Sequence, residues 1–433
     1  GGGSIPLEAQ RLGLQAYASD LNPVAVLINK ALIEIPPKWA GQPPVFPGAA
    51  EQRLDWPKAT GLAEDVRRYG QWMRDEAEKR IGRLYPKATL EDGSQASVIA
   101  WIWARTITCP NPACGVRLPL VRSWWLGKKK GKEAYVIPSV VYDSDGKPRI
   151  QFAIGHDPKH APTKQDDGTV GRTGASCLAC GTAVPFKVVR ANAREGDMGE
   201  QLLAVVAEGN RRRHYLAPSE DQVQAALVPT PPDVPEAEMP EASLGFRTQA
   251  YGMNRYSDLF TPRQLTALTT FSDLVGEARE RIRFDAVSAG LPDDGLGLEA
   301  VGVGASAYAD SVAVYLALTV GRSSDYWSSL TSWSVSGEFV RGTFGRQALP
   351  MVWDFTEVGP FSGSTGNYGS MLHWTVSAIE RVPTGIGQAI QADAARREYS
   401  GVVVATDPPY YDNIGYADVS DFFFCWLRPA LRE

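Results

Sequence analysis

Several things are scarce in this sequence, and each shortage excludes a class of protein. Its apolar runs are short: the stretch from Ser311 to Val320 breaks well before the roughly 20 residues a membrane span needs, and no signal peptide opens the chain. Five cysteines in 433 residues are too few for a disulfide scaffold. Basic residues do not dominate: Lys plus Arg number 44 against 49 Asp plus Glu, for a formal net charge of -5. That balance excludes a uniformly basic nucleic-acid binder and leaves room for one local basic groove. There is no Gly-Lys-Ser/Thr phosphate loop and no convincing internal repeat. Hydrophobic residues still make up 44%, which excludes global disorder, and the length suits two or three domains. A cytoplasmic protein with no membrane partner is expected.

The first forty residues are patterned. Ser4 is expected to cap a helix from Ile5 to Leu12, which Gly13 ends in the left-handed conformation. Leu14 to Ser19 reads as a short strand closed by Asp20. Asn22-Pro23 starts a second helix, with Val24, Leu27, Ile28, Ala31 and Leu32 as its apolar face and Pro36-Pro37 as its stop. Glycine turn, helix, strand, acid and helix form half of a nucleotide-binding α/β unit. Gly1, Gly2 and Gly3 would let a ligand approach the backbone, and Asp20 would accept hydrogen bonds from ribose hydroxyls. Pro6 stands where a dinucleotide fingerprint wants its next glycine, which disfavours NAD. S-adenosylmethionine, with ribose and adenine but no pyrophosphate, fits better; an ordinary turn with a structural Asp20 is the alternative.

Near the far end, Gly401 to Thr406 is a continuous apolar run typical of a buried parallel strand. It leads into Asp407-Pro408-Pro409-Tyr410, at the sheet edge where open α/β folds bind ligands. The combination suits methylation of an aromatic amine, whose lone pair is delocalised and weakly nucleophilic. Asp407 and the Pro408 carbonyl would accept its two N–H bonds while Tyr410 stacks on the ring. Catalysis would then come from alignment and electrostatics, with no covalent enzyme intermediate.

With GGGSIPLEAQRLGLQAYASDLNPVAVLINKA at one end and TDPPYYDNIGYADVSDFFFCWLRPAL at the other, the chain resembles the large adenine-specific DNA methyltransferases that carry an inserted zinc-ribbon-like region. The resemblance implies an α/β, Rossmann-like S-adenosylmethionine-dependent core split by a long insertion. It implies ribose binding by Asp20, an adenine contact at Asp393-Ala394, and catalysis by Asp407, Pro408, Pro409 and Tyr410. Asp407 points to adenine, since cytosine amino-methylating relatives more often carry Ser at that place. Implied partners are DNA and other subunits of a modification or defence system. Family members place an acidic strand before the glycines; the chain is therefore expected to be a piece cut at both ends, lacking part of its cofactor pocket. A Gly/Ser linker is the other reading of Gly1 to Ser4. Methylation of cytosine or RNA, and a non-catalytic zinc-containing DNA-binding protein on a decayed core, stay open.

The interior carries the cysteines. The strand-like run Val98 to Thr108 delivers Cys109 and Cys114, and Cys177 and Cys180 follow after a long excursion. Short knuckle pairs of this kind form a closed Cys₄ zinc site of structural type. Arg122, Lys128, Lys129, Lys130 and Lys132 surround Trp124 and Trp125, and Arg211 to His214 forms a second basic run. Both would either track a phosphate backbone or be plain solvated surface. Trp353 to Glu357 interleaves two acids with aromatics, as base-pocket lining or as a turn, and Thr261 reads first as a helix cap. The expected organisation is a cofactor half at 1–38, a zinc-bearing insertion at 39–228, a linker and helical segment at 229–300 that opens with the Pro/Glu-rich Pro229 to Pro240, and a catalytic half at 301–433.

Overall fold

The computed structural model describes residues 2–209, 212–406, 408 and 414–432. It is a mixed α/β structure whose contacts divide into two units, one of residues 1–80, 268–324 and 368–433, the other of residues 81–267 and 325–367. The sequence reading set its divisions after 38, 228 and 300 instead. The difference has a specific origin in two long helices. Thr60–Ile81 and most of Pro262–Ser288 pack in the first unit, where the Tyr69 hydroxyl donates to Asp285 at 2.8 Å and Arg80 pairs with Glu277 at 2.7 Å. Pro229 to Pro240 lies inside the second unit.

In the first unit, helix Ser4–Arg11 begins after Gly3, which is left-handed at φ 80; Ser4 is in the helix and is not its cap. Strand Ala16–Asp20 follows, then helix Pro23–Asn29, started as expected by Asn22, whose side chain accepts the Val24 amide at 2.9 Å. The helical run ends at Lys38, one residue past the predicted stop at Pro36-Pro37. A π-turn at Lys30–Glu34 leads into a last α-turn, Ile35–Lys38, where prolines are tolerated because first-turn amides need no helical partner. Val24, Val26, Ala31, Ile33 and Ile35 are buried while Leu27, Ile28 and Leu32 are half-buried, the wider turn shifting the buried face for the residues that follow Lys30. Strand Gly387–Gln391 pairs in parallel with Ala16–Asp20, register Ala16 to Gly387 through Asp20 to Gln391. Gly387 has no room for a side chain: a Cβ there would lie 2.3 Å from the Ile33 carbonyl oxygen. Helices Ala305–Tyr326, Tyr368–Ile379 and Tyr416–Leu431 complete this part of the chain.

The second unit is built on strand Gln95–Thr108, which contains the predicted run from Val98. It pairs antiparallel with Gly199–Gly209 on one side and Asp354–Val358 on the other, and Arg117–Leu120 and Ala88–Thr89 also join it. Residues 98–107 of this strand are buried without alternation, as a central strand covered on both faces requires. Trp353 to Glu357 is therefore strand and its approach, with no turn. A three-stranded sheet, Trp125–Gly127, Ala134–Tyr142 and Pro148–Gly155, lies in the excursion between the cysteine pairs, and the hairpin Gly174–Ser176/Ala183–Pro185 carries Cys177 and Cys180 in its turn. Among the described residues no helix is long and apolar enough to cross a membrane.

Candidate metal centre and cofactor strands

The four cysteines converge. Strand Gln95–Thr108 hands Cys109 to a loop in which the amides of Cys114 and Gly115 donate to the Asn111 carbonyl, at 2.9 and 3.1 Å. The hairpin on the other side makes the matching turn, with the Gly181 amide donating to the Cys177 carbonyl at 2.9 Å. Gly115 and Gly181 stand directly after the second cysteine of each pair, both in the left-handed region at φ 58 and 73, where a side chain would be strained. The sulfurs all lie within 4.8 Å of one another, with Cys109 to Cys180 at 3.7 Å and Cys114 to Cys177 at 3.8 Å. A tetrahedral ion about 2.3 Å from each sulfur separates them by about 3.8 Å, so the donor set fits zinc. Amides of Asn111, Val116 and Thr182 donate toward Cys109, Cys114 and Cys180 and favour the thiolates a metal needs. Burial pushes the Cys109 thiol up to about 12, while the Thr182 hydroxyl and amide bring Cys180 down to about 6. Ile107, Leu118, Val184 and Val189 form the core beneath. Four sulfurs close the coordination sphere, so this centre can organise the fold and has no open position for catalysis.

Two of the predicted cofactor residues come together. Asp20 ends the first strand of the parallel pair; the Ala392 amide donates to its carbonyl at 3.1 Å, and Asp393 follows directly, so both carboxylates leave the same end of adjacent strands. Asp20 Oδ1 accepts the Asn22 amide at 2.9 Å, and the Ser420 hydroxyl donates to the Asn22 side chain at 3.1 Å. Asp393 faces solvent, paired with Arg396 at 3.5 Å and accepting the Ala395 amide. Gly3 is tightly placed, since a Cβ would lie 2.9 Å from Asn29 Oδ1, whereas Gly2 is exposed with open space beside it.

The catalytic segment does not follow its expectation. Gly401 to Thr406 forms no strand and is exposed throughout, Val403 by 99%. An apolar run becomes a buried parallel strand only between flanking strands, and the parallel sheet here has two members among the described residues, neither paired with this run. Pro408 is exposed and irregular. Gly1, Asp407, Pro409 and Tyr410 lie outside the described residues, as does Arg211.

Several of the other residues singled out in the sequence have partners within the chain. Trp124 is core, and Trp125 carries Lys128 over its ring at 4.8 Å. Lys129 pairs with Glu338, and Arg213 lies 5.7 Å from the Trp333 ring. Thr261 does cap its helix, its hydroxyl oxygen accepting the Gln264 amide at 3.1 Å. That hydroxyl also donates to Glu357 at 3.0 Å. Glu357 forms a buried two-pronged pair with Arg263, at 2.6 and 3.0 Å, a partnership that sequence spacing did not signal. No protein-family model, curated protein or solved structure matches this chain.

Proposed function

We propose that the protein is an S-adenosylmethionine-dependent methyltransferase acting on the exocyclic amino group of adenine in DNA, with zinc in the Cys₄ centre as a structural element. The observation that carries this reading is the parallel strand pair with Asp20 and Asp393 at one end. Adjacent strands of an open α/β sheet present ligand-binding acids at their carboxyl ends in this way. Asp20 would hold the ribose hydroxyls and Asp393 the adenine edge, with Gly3 admitting close backbone approach. S-adenosylmethionine, when bound, supplies an electrophilic methyl group. Asp407 and the Pro408 carbonyl would accept the two N–H bonds of the target amine and favour a tetrahedral nitrogen, and Tyr410 would stack on the base. A base in a duplex would have to leave the stack to reach them.

The test has two stages. Calorimetric titration of the chain with S-adenosylmethionine should show binding that Asp20→Ala weakens about tenfold or more, the value of a lost charge-assisted hydrogen bond. Labelled methyl transfer to duplex DNA, single strands and RNA should favour adenine in DNA, and Asp407→Ala should abolish transfer while retaining cofactor binding. The exposure of Gly401 to Thr406 supports a second reading, a zinc-containing DNA-binding protein without catalysis. DNA binding with no cofactor binding would select it.

A further inference from the structure

One face of the large sheet holds an arrangement that neither the metal centre nor the cofactor strands use. Residues directly opposite in antiparallel strands share a face. Arg105 lies opposite Glu200, Trp103 opposite Leu202 and Phe355, and Trp101 opposite Glu357, in three successive rows. Against this face lies a cavity of about 650 Å³, within the range typical of small-molecule sites. Trp103 and Phe152 supply aromatic wall, and Leu202 and Val223 supply aliphatic wall.

The polar groups of the cavity divide into satisfied and unsatisfied. Both Glu357 oxygens are taken, by Arg263 and Thr261. Arg105 gives its hydrogen bonds to the Val352 carbonyl and to the carbonyl and hydroxyl of Ser329. Glu200 lines the cavity and makes no hydrogen bond or ion pair among the described residues. Trp103 is 6% exposed, and its Nε1–H meets no acceptor among the described residues. The Trp103 N–H is sealed from the cavity, so the site offers one free carboxyl between aromatic and aliphatic walls.

We propose that this cavity binds a neutral planar heterocycle bearing an exocyclic amino group, such as an aminopyrimidine or aminopurine base, with the amino group donating to Glu200 and the ring lying against Trp103. Two acids and two arginines balance one another along this face, so the surroundings ask for no net charge on the ligand. A phosphate would meet the carboxylates of Glu200 and Glu357, which disfavours a nucleotide. The inference uses residues of the second unit alone and stands whether or not the chain transfers methyl groups.

The experiment is calorimetric titration of the full chain with adenosine and cytidine, which carry the amino group, against inosine and uridine, which carry a carbonyl there. Adenosine and cytidine should bind at least about tenfold more tightly, as the loss of one hydrogen bond to a carboxylate requires. Glu200→Ala, at an accessible side chain, should remove that preference, and Ala226→Trp should block the cavity, both with unchanged circular dichroism. Asp20→Ala should leave cytidine binding intact, since cytidine lacks the adenine of the proposed cofactor. Four results overturn the proposal: no binding of any nucleoside at millimolar concentration, equal binding of cytidine and uridine, cytidine binding insensitive to Glu200→Ala, or cytidine binding lost with Asp20→Ala, which would assign it to the cofactor strands.

Discussion

Replacing Glu357 by Gln should destabilise the second unit more than any other single-atom change in it. The Arg263 and Glu357 side chains are 0% and 2% exposed, so neither charge has water to fall back on. In the variant the Arg263 guanidinium keeps its bond to the Leu84 carbonyl at 2.8 Å and its places over the Trp101 and Tyr85 rings, at 4.5 and 5.1 Å. It loses the charge that neutralised it. Breaking a buried pair from one side costs about 3–5 kcal/mol, and the surviving ring contacts put the expectation near the lower figure. For a unit of this size about 3 kcal/mol corresponds to a fall of roughly 6–12 °C in the unfolding midpoint, measured by calorimetry. The double variant Arg263→Met/Glu357→Leu removes both charges together. It forfeits the Thr261 and Leu84 hydrogen bonds, about 1 kcal/mol each, and should fall within about 2 kcal/mol of the parent. A Glu357→Gln midpoint within 1 °C of the parent, or a double variant as costly as its two singles added, would refute this reasoning.

Cys177→Ser should release the metal and lower the midpoint of the second unit, and a colorimetric assay should find close to one zinc per parent chain; a metal-free parent would count against the centre. Asp65 is buried beneath the Tyr308 hydroxyl and the Val45 and Phe46 amides, and burial outweighs these donors to raise its carboxyl to about 6. The folded state then holds a proton that the unfolded state, at its ordinary 3.8, has released. Stability of the first unit should fall by about 3 kcal/mol as pH rises from about 4 to about 6 and stay level above that. Asp65→Asn should flatten the slope in urea titrations, and parallel slopes in parent and variant would contradict the assignment. Gly387→Ala should cost about 1–3 kcal/mol, because its Cβ would press on the Ile33 carbonyl and the Gln10 side chain; an unchanged urea midpoint would show that the strand can shift at no cost.

What the sequence disclosed follows from how local each determinant is. Asn22-Pro23 announced its helix because the cap acts within two residues. The cysteine pairs announced the metal centre because each knuckle is closed by its own glycine. The sequence carries helical patterns from Pro262 to Arg281, Ala305 to Leu318 and Met371 to Arg381, and the helices formed there run Pro262–Ser288, Ala305–Tyr326 and Tyr368–Ile379. The apolar run Gly401 to Thr406 misled because a strand's burial is decided by neighbours and not by its own residues. The face formed by Trp103, Arg105, Glu200 and Glu357 was hidden for the same reason, its members being drawn from three strands far apart in the chain. Glu357 alone gave a signal, through its aromatic neighbours, without naming Arg263.

The parallel strands bearing Asp20 and Asp393 also set a timetable for biosynthesis. The side chain of Gln391 reaches the Leu21 carbonyl across a sequence separation of 370 residues. At ribosomal rates of about 5–20 residues per second, the earlier strand waits roughly 20–70 s for its mate. The whole of the second unit is translated in that interval and can close on itself first. A newly made chain therefore carries strand Ala16–Asp20 without this mate for that whole interval, which makes its open edge a point at which a chaperone would have work to do.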